Sequence, residues 1–225
     1  MSTINLTKPT INLSKGQKIS LAKECPGLRK VMVGLGWKQA EKYEEVTVQP
    51  GFIGKLFGAQ PRTERVRTGS NAEYDLDASV LMLRDGRFAE DKDLVYYGHK
   101  DTTGVHHHGD NLVGGEGNSD DEEIDIDLDN VPANVNKIEI FVCIYMGYQR
   151  NQYFKNISKM FIRLVDTSDG HEVCRYADDT ICTEFGNCTT LHFGELVRTA
   201  GGWEFTAIGR GTNDKGISEF AKRYM

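Results

Sequence analysis

The chain has 225 residues, 39% of them apolar and 27% charged, with a net charge of −6 and a mean hydropathy of −0.47. This is enough apolar material for one large β domain or two small ones, and no run of roughly 18 apolar residues is present to span a bilayer. The N-terminus lacks the basic-then-apolar layout of a secretory signal, so the expected address is cytoplasmic, and the absence of a basic aromatic stripe argues against nucleic acid as a partner.

Glycine is frequent and proline scarce, 24 against 5. Short apolar runs recur along the chain, each closed by a Gly, Asn or Asp turn, a spacing that predicts an all-β sandwich or barrel. Residues 30–37 form the first clear strand. The stretch 38–71 is basic, holds Gly51, Gly54, Gly58 and Pro61, and shows no clean period. It reads as a long surface loop inserted in a single domain, in which Phe52 and Phe57 either tuck onto the sandwich or contact a partner or an anionic membrane surface. Strands follow at 73–83 and 94–98.

Ile124, Ile126 and Leu128 alternate with Asp125, Asp127 and Asp129, so one face is buried and the other acidic and solvated. Residues 130–134 make a turn. Strand 137–146 is apolar on both faces and belongs in a central position between two layers. Hairpin turns are predicted at 166–170 and 199–202. The tail, 212–225, places Ile217, Phe220 and Ala221 at helical spacing behind Asp214 as a cap, predicting one short helix.

The charge is local. Between Asp110 and Asp129 there are nine acids and no base, while the rest of the chain is net positive. Within this stretch Asp110, Asn111, Glu116, Asn118, Asp120, Asp121 and Glu122 offer hard oxygen ligands, and glycines let backbone carbonyls turn inward. Calcium takes six to eight such oxygens, and without a cysteine the loop is a poor match for zinc or copper. The alternative is a merely solvated acidic loop.

The order of acids fails the EF-hand pattern. Asp75 and Asp77, two apart on a strand, share a face and are candidates to complete the site. Consecutive residues on an extended chain point to opposite sides, so His106, His107 and His108 do not all meet one ion; nearby carboxylates favour their charged form. The five cysteines contain no CxxC pair and read as buried thiols, with Cys174, Cys182 and Cys188 as candidates for a metalloid or redox role. No P-loop, dinucleotide fingerprint, nucleophile elbow or zinc-protease motif is found, so no catalytic residue is assigned.

Several motifs together resemble the TerD family: Leu13-Ser-Lys-Gly16, Ile19-Ser-Leu21, Pro26-Gly-Leu28, Val33-Gly-Leu-Gly-Trp37, Tyr74-Asp-Leu-Asp-Ala-Ser79, His107-His-Gly-Asp-Asn-Leu112, Gly115-Glu-Gly117 through Asp120-Asp-Glu122, Val131-Pro-Ala-Asn134, Phe161-Ile-Arg163, Phe193-Gly-Glu-Leu196 and Trp203-Glu-Phe205. The resemblance implies a β-sandwich with acidic calcium-binding loops at one end and a short C-terminal helix.

It further implies a calcium-binding, non-enzymatic module in bacterial tellurite resistance and general stress response, including phage and colicin resistance. Its partners would be other tellurium-resistance proteins, one of them in the membrane, with a location extending to the inner membrane face. The implied ligand set is Asp75, Asp77, Asp110, Asn111, Leu112, Gly115, Glu116, Asp120, Asp121 and Glu122. Lys38 stands where the family has an acid, Val113 where Thr is usual and Asn118 where Asp is usual, departures that weaken one of two calcium sites. The 38–71 insertion resembles the TerZ-like and TerX-like branches.

Overall fold

The computed structural model describes residues 8–49, 60–70, 74–109, 119–177 and 180–225. Two sheets carry the core. The first runs, in spatial order, β1 (Ile11–Leu13), β13 (Glu172–Ala177), β12 (Ile157–Asp166), β3 (Lys30–Gln39), β10 (Glu122–Asp127), β9 (Val105–His107) and β8 (Asp101–Thr102). The second runs β2 (Lys18–Ser20), β15 (Gly202–Thr212), β14 (Thr190–Thr199), β11 (Lys137–Ile144), β6 (Leu76–Leu83) and β7 (Leu94–Val95).

The period-2 alternation sets the packing. Val31, Val33, Leu35 and Trp37 of β3, with Ile124 and Ile126 of β10, face Leu76, Ala78, Val80 and Met82 of β6 and Ile138, Ile140, Val142 and Ile144 of β11 across one continuous core. The turns expected at 166–170 and 199–202 join β12 to β13 and β14 to β15. Gly170 and Gly202 there take φ of 73° and 106°, a region that favours glycine.

The two apolar faces of β11 find different covers. One faces the core. The other carries Phe141 and Cys143, which join Leu81, Leu83, Phe220 and Ala221 in a second cluster beneath the tail. Phe220 stacks on Phe141 with ring centroids 4.0 Å apart. Among the described residues four short α-helices accompany the sheets: α1 (Leu21–Glu24), α2 (Gly147–Arg150), α3 (Ile181–Glu184) and α4 (Ile217–Ala221). The outer layer over β11 is therefore α4 and not a third sheet. Asp214 does not cap α4, whose N-cap is Gly216; its carboxylate accepts instead from Thr212 Oγ1 at 2.6 Å and Arg223 Nε at 3.0 Å.

The expected surface loop at 38–71 is different in the structure. β3 continues to Gln39, and β4 (Glu41–Val48) pairs antiparallel with β5 (Arg62–Ser70) as a separate two-stranded ribbon. Glu45, Val46 and Thr47 of β4 and Arg62 and Thr63 of β5 are exposed. Where neighbouring strand residues all meet water, no core selects an apolar period, so the pattern that marks the other strands is missing there. Phe52 and Phe57 lie outside the described residues.

Candidate metal centre

The site is built at the seam where the two sheets meet. The edge strand β7 pairs with β6 only at Val80 and Leu81, so the backbone of Ala78 on that side needs another partner. Two side chains of the opposite sheet supply it. The Ala78 N–H donates to Glu122 Oε2, and the Ala78 carbonyl lies 3.2 Å from His107 Nε2. Both side chains are fully buried, with 4.0 Å between His107 Nε2 and the Glu122 carboxylate. His107 Nδ1 accepts from the Gly109 N–H at 3.0 Å, which leaves Nε2 as the proton-bearing nitrogen that donates to Ala78.

This arrangement fixes both ends of the acidic Gly-rich segment. The chain leaves β9 after His107 and enters β10 at Glu122, so one clamp on Ala78 holds the residues on either side of that segment. Asp75, just ahead of β6, and Asp77, on that strand, precede Ala78, and both are buried, at 7% and 2% exposure. The Asp75 carbonyl accepts from Tyr145 N–H at 2.8 Å. Asp77 pairs with Cys143 across the ladder and borders a cleft of about 450 Å³ that Tyr96, Tyr97, Tyr145, Lys215 and Lys222 also line.

Asp110, Asn111, Leu112, Gly115, Glu116 and Asn118 lie outside the described residues. The remaining expected ligands are engaged by the protein. Asp120 accepts from Arg163 Nε at 2.9 Å and from the Arg163 Nη2 at 2.6 Å. It sits on the outer face of the first sheet, against Gly34 and Arg163, whereas Asp77 sits on the outer face of the second. A Cβ on Gly34 would strike the Asp120 carboxyl, and one on Gly36 would strike Phe161 and the Ser119 carbonyl. The glycines of the Gly34-Leu-Gly36 motif thus clear a path for the returning chain.

Asp121 Oδ2 accepts from the Trp37 N–H at 2.8 Å, and the Asp121 N–H donates to the Leu35 carbonyl. Sequence reasoning assigned Asp120, Asp121 and Glu122 to the ion by type. It missed their role as anchors, which Arg163, Trp37 and Ala78 reveal only in three dimensions. The family motif carried the His107 signal, but nothing in it marked the ring as buried.

Among the described residues no group of three or more His, Cys, Asp or Glu side chains is placed to hold a metal ion. The donor set near Ala78 nevertheless suits a hard cation: Asp75 and Asp77 supply buried carboxylates without sulfur. The expected solvated face of β10 carries polar partners, with Asp127 at 2.8 Å from Lys30 Nζ in an ion pair and Asp125 at 3.1 Å from His108 Nε2. The Lys30 ammonium holds the Asp127 carboxyl below its ordinary range.

All five cysteines are free thiols. Burial pushes the thiols of Cys143 and Cys174 up to about 12 and raises that of Cys188, the opposite of what a reactive thiolate requires.

The described residues form a two-sheet β-sandwich, and residues 10–224 match the TerD domain family. The chain belongs to that family. It is 41% identical over 217 residues to the stress response protein SCP2 of Bacillus subtilis, covering 96% of this chain and 99% of that protein. It is 35% identical over 205 residues to the tellurium resistance protein TerD of Serratia marcescens, covering 90% and 91% of the two chains. The TerZ protein of the same organism is 34% identical over 212 residues, covering 93% and 94%, so identity does not separate the TerD and TerZ branches. A Streptomyces coelicolor homologue of the telluride resistance protein TerD shares the fold, with a TM-score of 0.54 at 19% identity over 83% of this chain and 92% of that one. Among the described residues no helix is long and apolar enough to cross a membrane.

Proposed function

We propose that this chain is a calcium-dependent, non-enzymatic binding module in the stress-response and tellurium-resistance setting for which its relatives are named. The observation that carries the reading is the clamp on Ala78: His107 and Glu122 grip its carbonyl and N–H and so hold both ends of the acidic segment beside the buried carboxylates of Asp75 and Asp77. The ion would be held by Asp75 and Asp77 with Asp110, Asn111, Leu112, Gly115 and Glu116. Asp120, Asp121 and Glu122 position the returning chain through Arg163, Trp37 and Ala78.

Calcium supplies positive charge to a segment that repels itself, by about 0.7 kcal/mol for each acid pair roughly 6 Å apart in water. It also orders a surface against which a protein or an anionic lipid docks, and the partners in this reading are other tellurium-resistance proteins, including one in the membrane. At about 100-fold excess over Kd the ion stabilises the fold by about 2.7 kcal/mol.

The test is calorimetric titration of Ca²⁺ and Mg²⁺ into chelator-stripped protein and into Asp77→Asn and Asp110→Asn variants. Saturable Ca²⁺ binding that survives Mg²⁺ and is lost in the variants supports the reading. A parent protein that binds no Ca²⁺, or an Asp77→Asn variant that binds it unchanged, overturns it.

A further inference from the structure

The three consecutive histidines divide as an extended chain requires. His107 turns inward to Ala78, and His106 and His108 turn outward together, their rings in edge contact with centroids 5.0 Å apart. Each outward ring is flanked by a carboxylate. His106 Nδ1 lies 2.6 Å from Asp101 Oδ1, on β8. His108 Nε2 lies 3.1 Å from Asp125 Oδ2, on β10. A carboxylate accepts only, so these two nitrogens are the donors, and in the neutral rings Nε2 of His106 and Nδ1 of His108 keep their lone pairs.

This is the electronic arrangement of a metal-ligating histidine. One ring nitrogen faces the ion and the other gives its proton to a carboxylate, which fixes the tautomer and raises the basicity of the ligand. The spacing also fits. Two imidazoles on one tetrahedral ion, with nitrogen about 2.1 Å from the metal, place their ring centroids roughly 5 Å apart.

We propose that His106 and His108 form a two-histidine surface site for a borderline divalent cation of the zinc or nickel class. Asp101 and Asp125 act as orienting partners, and water completes the coordination. The site is separate from the proposed calcium centre in chemistry as well as place. Imidazole suits zinc, copper and nickel, whereas calcium takes oxygen. His106 of β9 and His108, just after it, are exposed at the edge of the first sheet, whereas Asp77 belongs to β6 of the other sheet and Asp75 immediately precedes that strand. A protein that carries both sites senses or buffers two classes of cation on one edge.

The experiment is a Zn²⁺ or Ni²⁺ titration of the whole chain by calorimetry at neutral pH, with Ca²⁺ held at saturation. The expected result is one equivalent bound, with affinity falling at least about tenfold in His106→Ala and in His108→Ala. Asp101→Asn should lose about 10- to 100-fold, as removal of a carboxylate partner does elsewhere. His171→Ala, a histidine away from the site, should bind as the parent does. Two results would overturn the proposal: no binding by the parent, or unchanged binding in the His106→Ala, His108→Ala double variant. Because the substituted histidines are exposed on the sheet surface, loss of binding with an unchanged melting temperature separates ligand loss from unfolding.

Discussion

Replacing Arg163 with Met would remove the partner of a carboxylate that is 2% exposed. The guanidinium meets Asp120 through Nε at 2.9 Å and Nη2 at 2.6 Å, and Glu172 through Nη1 at 2.9 Å. Two unit charges about 4 Å apart attract by about 4 kcal/mol at an effective dielectric near 20. Stranding one member of a buried pair costs about 3–5 kcal/mol. Arg163 is 27% exposed, and the water that reaches it screens part of that sum, so the lower end, about 3 kcal/mol, is expected. For a chain of this size each kcal/mol lowers Tm by about 2–4 °C, giving a fall of about 6–12 °C.

Urea denaturation and calorimetric melting of Arg163→Met, Asp120→Asn and the double variant measure it. The double variant should recover part of the loss, because it no longer buries a lone charge. An Arg163→Met cost below about 1 kcal/mol, or strictly additive single effects, would refute the pairing as a stabilising anchor. The same Asp120→Asn variant should keep the full calcium stoichiometry; loss of an equivalent would make Asp120 a ligand instead.

Glu122→Ala removes the acceptor of the Ala78 N–H and should cost about 1–3 kcal/mol, with hydrogen exchange at Ala78 speeding more than at Val80, which β7 still covers. Glu172 is held below its ordinary value chiefly by Arg175, with Arg163 assisting. Its stabilisation is present above the ordinary glutamate value of 4.5 and is lost as pH falls through the lower folded value; Glu172→Gln should therefore flatten the stability loss below about pH 4.5 in acid melts. Native protein should leave Cys143 and Cys174 unlabelled by a thiol reagent at mildly alkaline pH, while unfolded protein labels all five cysteines. Rapid native labelling of either thiol would revive a thiolate chemistry. Phe220→Ala empties the stack on Phe141 and should expose α4 to proteolysis at a Tm well below the parent's.

Much of this protein was determined by its sequence. The alternation of Ile124, Ile126 and Leu128 with Asp125, Asp127 and Asp129 assigned both faces of β10, because side-chain direction on a strand is a local property with a period of two. The same rule divided His107 from its neighbours. The motifs of the TerD family placed the acidic segment and the Asp75–Asp77 pair in one protein class. Over β4 and β5 the sequence carried no clean period, and only the backbone pairing revealed a ribbon.

The tertiary structure decided which acids face which partners. Asp120, Asp121 and Glu122 are consecutive and chemically alike, yet one meets Arg163, one the Trp37 N–H and one the Ala78 N–H. Those partners lie 43, 84 and 44 residues away along the chain. Pairing at such separations is set by sheet order and register, which no local pattern encodes. The convergence of His106 and His108 between Asp101 and Asp125 arises in the same way, from three strands brought side by side at the end of one sheet.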